Sequence, residues 1–225
     1  MVKAVVRALD TVQEFVKERF GGHVDRFGLA GPSKRGWTTW LAGAIDDRVE
    51  AFVPIVESLL NINANLHHYW RSLGGWPFAF KDYFDSNITN YVDAVNASKL
   101  YSIVDPRGYF DRMAAKPKLL ISSTNDEFFW VDDSHFFFDA LPGEKLLYFP
   151  KNTEHQMITG FRSALEAAGG FFDSVFAKTN DRPVLRWKLN STAGETQLWT
   201  DREPEWVRLN YATTHNERRD FRIME

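Results

Sequence analysis

The chain predicts an α/β fold built on a parallel sheet, and three observations carry the prediction. Short apolar runs alternate with stretches of helical period up to about residue 182. The runs are continuously apolar instead of alternating with polar residues, as strands covered on both faces are. Each run is followed by polar, chemically capable residues, and in parallel sheets such groups gather at the carboxyl ends of the strands.

Val5, Leu9, Val12, Val16 and Phe20, with Ala8 and Phe15 beside them, fall at three- and four-residue spacing, which predicts an amphipathic helix ended by Gly21-Gly22. VDRFGLAG then reads as a short buried strand and Lys34 to Ala44 as a second helix. AFVPIV (51–56), KLLIS (118–122) and KLLYF (145–149) are the next strands. A helix is expected from Met157 to Phe176, with Phe161, Leu165, Ala168, Phe172 and Val175 on the stripe that packs onto the sheet. Between the second and third strands, at about 58–105, lies an insertion rich in rings, including Trp70, Trp76, Phe78, Phe80, Tyr83 and Phe84. It predicts a cap over the carboxyl ends of the strands, whose rings either line an entrance or form the cap's own core. From Pro183 the pattern changes to short alternating runs, VLRWKLN, QLWT and VRLNYAT, which resemble the start of a β-sandwich too short to close. The expected organisation is therefore one unit over 1–182 and an incomplete β-rich module over 183–225.

Composition removes several function classes. The 225 residues are 44% hydrophobic and 25% charged, enough for a substantial core. With 27 Lys and Arg against 30 Asp and Glu the net charge is −3, so no basic field points to nucleic acid. There is no cysteine, which excludes disulfides, thiolate metal sites and a cysteine nucleophile. The first twenty residues carry charges every few positions and read as neither a signal peptide nor a membrane span.

The strand ends carry an ordered set: Ser33 after the first, Glu57 after the second, Asp126 after the third and His155 after the fourth. Serine, acid and histidine in that order is the arrangement of an α/β-hydrolase triad. The chemistry requires these types, because the serine needs an imidazole to take its proton and the imidazole needs a carboxylate to set its tautomer. Taken singly, Ser33 in GPSKRG is also a common turn residue, and Asp126 in SSTNDE a common cap. Asp126 is the preferred acid and Glu57 the alternative. Gly31 and Gly36 are the small residues that a close strand-to-helix turn needs around Ser33. The adjacent His67 and His68 point different ways from a helix, and no metal or cofactor is expected.

GPSKRGWTTWL, FVPIVESLLN, DPRGYFDRMAAKPKLLISSTNDEFFWVDDS, LPGEKLLYFPKNTEH and VRLNYATTHNERRDFR together resemble the PhoPQ-activated pathogenicity-related proteins, related to the autocrine proliferation repressor proteins. The resemblance implies an α/β-hydrolase-like domain, a β-rich tail, export to the periplasm or medium, and a substrate of undefined class. Two departures stand out. The usual Gly-x-Ser-x-Gly places glycine two residues after the serine, where this chain has Arg35 and only then Gly36. Glucuronoyl esterases are similar in this spacing, which gives Arg35 two readings, a positive charge near the oxyanion pocket or a surface salt bridge; Trp37 is expected near the site, and by family analogy the Lys34 N–H is an oxyanion donor. The second departure is that only one helix precedes the nucleophile strand, so the sheet reads as the carboxyl-terminal half of a hydrolase. One oxyanion donor belongs to the preceding half, and the isolated chain is expected to turn over slowly. An unpaired sheet edge would then favour self-association.

The reading is a serine hydrolase acting on an ester or amide of a small-molecule, glycan or peptide substrate. Its alternative is a secreted virulence or signalling factor that keeps the hydrolase fold as a binding scaffold.

Overall fold

The computed structural model describes residues 1–179 and 182–213. Four parallel strands form one sheet in the order β1 (Phe27–Pro32), β2 (Val49–Ile55), β3 (Lys118–Ile121) and β4 (Lys145–Tyr148). Spatial order equals chain order, so each strand lies beside its predecessor. The pleat divides the core in two. Phe52 and Leu120 face one side with Trp40 of α2 (Lys34–Ile45), Leu60, Met113 and Phe137. Ala51, Val53, Leu119 and Ile121 face the other, against α6 (Phe161–Phe176). Period two along a strand and one helix on each face explain why the runs are apolar throughout.

Two helical patterns fall differently from the spacing. The last helix begins at Phe161, and residues 150–160 form the loop that carries His155. Its buried residues are Ala164, Ala168, Phe171 and Val175, whereas Phe161 and Leu165 are exposed. Two phenylalanines in sequence, Phe171 and Phe172, allow either of two stripes, and Ala164 and Ala168 let the helix approach the sheet more closely than Phe161 and Leu165 could. The first helix, α1 (Val2–Phe20), buries only Leu9, and Val12, Phe15 and Phe20 of its apolar stripe are exposed. Polar ties hold it instead: Arg48 donates to Asp10 Oδ1 at 2.8 Å and Gln13 Oε1 at 2.7 Å, while Asp46 Oδ2 receives the same guanidinium at 2.6 Å.

The segment between β2 and β3 is helical. It contains α3 (Ile62–Leu73), the short α4 (Lys81–Asp85), α5 (Val95–Val104) and three 3-10 turns, and it closes over a cluster of Ile62, Leu66, Tyr69, Phe80 and Trp130. Beyond it, β5 (Leu185–Asn190) and β6 (Glu195–Thr200) pair as an antiparallel hairpin whose side chains are all exposed. Residues 207–213, expected as a third strand, carry no strand pairing among the described residues, and Val207, Leu209 and Tyr211 stand exposed. The hairpin touches the rest through Arg182, paired with Glu144 at 2.5 and 2.6 Å, and through Trp187 against Phe138. Residues 214–225 of the expected 183–225 module lie outside the described residues. No helix among the described residues is long and apolar enough to cross a membrane.

Candidate active site

The end of β1 turns directly into α2, and Ser33 is the hinge of that turn. Its backbone sits at φ 52° and ψ −125°, a conformation non-glycine residues rarely adopt and one that stores about 1–3 kcal/mol. Neighbouring contacts hold it there. The Ser33 N–H donates to Ile55 O at 2.8 Å, tying the turn to β2, and Ser33 O accepts from Trp37 N–H at 3.1 Å, which starts the helix. The turn also needs two residues without side chains. A Cβ at Gly31 would lie 2.7 Å from Arg35 O, and one at Gly36 would lie 2.6 Å from Glu57 Cβ.

The strained turn directs Ser33 Oγ to within 2.8 Å of His155 Nε2. His155 comes from the loop after β4, and its Nδ1 lies 3.0 Å from both oxygens of Asp126, in the loop after β3. Asp126 is buried, and its Oδ1 also accepts the backbone N–H groups of Phe128 at 2.8 Å and Phe129 at 2.9 Å. Burial pushes the Asp126 carboxyl upward, opposed by the imidazole and by these two N–H groups. The rings of Phe128 and Phe129 flank the imidazole at 4.6 and 5.5 Å. Glu127 Oε2 accepts the His155 backbone N–H at 3.1 Å, which joins the two loops a second time.

Glu57 does not join this chain of hydrogen bonds. It is buried, its Oε1 accepts the Leu59 N–H at 3.2 Å, and its Oε2 has no partner. Desolvation pushes its carboxyl from 4.5 to about 8, with the nearby Asp105 adding to the shift. The native state thus keeps a proton that the unfolded chain releases near 4.5, so stability falls as pH rises from about 4.5 to about 8 and levels off above. Asp126 and Asp133, also raised by burial, tilt stability the same way, so the Glu57 share must be read as a difference. Urea unfolding of Glu57→Gln beside the unsubstituted chain is expected to show no gain at pH 5 and a gain of about 1–3 kcal/mol at pH 8. An equal difference at both pH values would show that Glu57 is ionised in the native state throughout.

Lys34, the first residue of α2, places its backbone N–H beside Ser33 at the positive end of the helix dipole. Lys34, with Trp37 and Glu57, lines a cavity of about 390 Å³ that opens onto Ser33. Trp37 also anchors the cap, donating from Nε1 to Val104 O at 2.7 Å. Arg35 is exposed and is not part of the cavity wall. Of the cap's rings, Trp76, Phe80 and Tyr83 line the cavity, whereas Trp70, Phe78 and Phe84 are exposed. The rings therefore serve both as wall and as cover.

His67 and His68 part company, as adjacent residues on a helix must. His67 pairs with Asp93 and His68 with Asp132, each at 2.8 Å. Sequence reasoning misses the residue behind them: Asp133 is fully buried and accepts from Tyr69 Oη at 2.6 Å and Ser58 Oγ at 3.2 Å, which clamps α3 to the Asp126 loop. No short motif signals such a contact between three segments. His68, Asp132 and Asp133 hold their candidate ligand atoms within 4.8 Å of one another and are, among the described residues, the group able to share a cation.

A parallel sheet with a strained serine turn at a strand end and a helical cap above defines an α/β-hydrolase-type domain, and comparison with solved structures agrees. The acylaminoacyl peptidase of Pyrococcus horikoshii superposes with a TM-score of 0.52 at 20% identity, over 75% of this chain and 26% of that one. Est1E of Butyrivibrio proteoclasticus gives 0.52 at 18% identity, over 78% and 69%. The chain itself belongs to the PhoPQ-activated pathogenicity-related protein family, whose model matches residues 1–222. It is similar also to autocrine proliferation repressor protein A of Dictyostelium discoideum, with 37% identity over 237 aligned positions. That match covers 100% of this chain and 47% of the relative, so the chain spans about half its length.

Proposed function

We propose that the chain carries the nucleophile, base and acid of a serine hydrolase that cleaves an ester or amide. The observation that supports this is the unbroken line of contacts from Ser33 Oγ to His155 Nε2 and from His155 Nδ1 to Asp126, at 2.8 and 3.0 Å. In this reading His155 takes the Ser33 proton as the oxygen attacks the carbonyl carbon, and Asp126 stabilises the imidazolium that forms. The tetrahedral oxyanion is met by the Lys34 N–H at the start of α2. His155 then returns the proton to the departing alcohol or amine, and a water activated by the same imidazole frees the acyl group from Ser33.

A fluorophosphonate probe tests the reading without knowledge of the substrate. The expected result is one covalent adduct, mapped by peptide mass spectrometry to Ser33 and absent from Ser33→Ala and from denatured protein. Folded protein that never labels at Ser33 would leave the fold acting as a binding scaffold.

A further inference from the structure

The cavity over Ser33 has a chemical character that neither the fold nor the three contacting residues require. Its wall is dominated by apolar and aromatic side chains, among them Trp76, Phe80, Val92, Leu100 and Phe128. Cap helices supply one side and the Asp126 loop another. The wall's polar side chains are Ser33, Lys34, Glu57, Thr89 and the tyrosines Tyr83 and Tyr101. Lys34 is exposed and Glu57 is the carboxyl that desolvation keeps protonated below about 8. Thr89 is 7% exposed, and its Oγ1 is buried with no hydrogen-bond partner in the protein.

We infer that this cavity receives the apolar group of an uncharged substrate, a medium-length acyl chain or an aromatic ring, held over Ser33 by its apolar wall. The inference rests on the hydrolase reading. An anionic group would lose its hydration against rings that offer no buried cation in return. Each methylene moved from water into such a wall strengthens binding by up to about fourfold, so reactivity should climb with chain length until the 390 Å³ are filled.

Two measurements on the same protein separate the outcomes. First, ethyl, octyl and ω-carboxyoctyl fluorophosphonates are compared by their second-order rate of labelling at Ser33. The octyl probe is expected to react at least about 30-fold faster than the ethyl, and the carboxylated chain no faster than the ethyl. Second, the neutral dye N-phenyl-1-naphthylamine is expected to bind saturably to both the unsubstituted chain and Ser33→Ala. Leu100→Trp, which fills the cavity from a position that is 55% exposed on α5, should cut the octyl preference and the dye affinity about tenfold or more. Equal rates for ethyl and octyl, or a preference untouched by Leu100→Trp, would overturn the cavity assignment while leaving the hydrolase intact. Absence of labelling by any probe, with dye binding retained and lost in Leu100→Trp, would sink the hydrolase and leave an apolar binding pocket.

Discussion

Asp126→Asn is expected to lower fluorophosphonate capture by Ser33, and with it any hydrolysis that the proposed nucleophile performs, by on the order of 10⁴. The size comes from the two N–H groups of Phe128 and Phe129, which converge on Oδ1 at 2.8 and 2.9 Å. They require an acceptor at that position, so the asparagine turns its carbonyl oxygen toward them. Its NH₂ then occupies the place of Oδ2 and donates to His155 Nδ1. The imidazole answers by carrying its proton on Nε2, where it donates to Ser33 and can no longer accept. The side chain keeps its shape while the base loses its function, so the variant should fold with a Tm near that of the unsubstituted chain. Glu57→Gln should cost less than tenfold, because Glu57 shares no hydrogen bond with His155. If Glu57→Gln proved the damaging change and Asp126→Asn the mild one, the acid would have been placed on the wrong strand.

The same pair shows what sequence reveals. Strand ends are legible because apolar runs stop abruptly, and a parallel sheet carries the residues just past each run to one edge. That topological fact brings Ser33, Asp126 and His155 together across 122 positions of chain, and it needs no side-chain geometry to be foreseen. Choosing between Asp126 and Glu57 is harder, since both come directly after strands. Their difference lies in loop conformation: the Asp126 loop folds back toward the loop after β4, whereas Glu57 is turned under the helix at Gly36.

Misread elements have a common physical origin. A three- and four-residue period establishes that a helix has an apolar face, but burial depends on what the face meets. In α6, Ala164 and Phe171 replace Phe161 and Leu165 as the buried set because the sheet selects small residues at close approach. In α1 the stripe is present yet mostly exposed. Residues 207–213 have the alternation of a strand but no pairing neighbour among the described residues, and a strand exists only by its pairing. The Tyr69, Asp133 and Ser58 clamp is invisible in sequence for a related reason: each residue comes from a different segment, at separations of 64 and 75 positions from Asp133.

Gly36→Ala is expected to be among the most destructive small substitutions in the chain. In an ordinary helix the change from glycine to alanine stabilises by up to about 1 kcal/mol. At Gly36 the new methyl would lie 2.6 Å from Glu57 Cβ and 3.1 Å from the carbonyl oxygens of Gly31 and Ile55. None of these is the far end of a flexible side chain. Two are backbone atoms of paired strands, and the third is fixed to β2's end. The first turn of α2 must therefore lift from the sheet, and Ser33, three residues earlier and bonded to Ile55 O, must move with it. Overpacking of this kind costs about 1–3 kcal/mol, and releasing the Ser33 turn from its contacts adds to it. We expect a loss of about 3 kcal/mol, which lowers Tm by roughly 6–12 °C for a chain of this size. A displacement of Ser33 by about 1 Å should further reduce its capture by fluorophosphonate on the order of 10²-fold at temperatures where the variant is still folded. The control is the same substitution at Gly169 in α6, where a Cβ meets nothing within 4 Å. Gly169→Ala should raise Tm slightly and leave Ser33 reactivity unchanged. A Gly36→Ala protein with unaltered Tm and unaltered labelling would mean that α2 does not press on β2 at this point, and that something other than this contact holds Ser33 in its left-handed conformation.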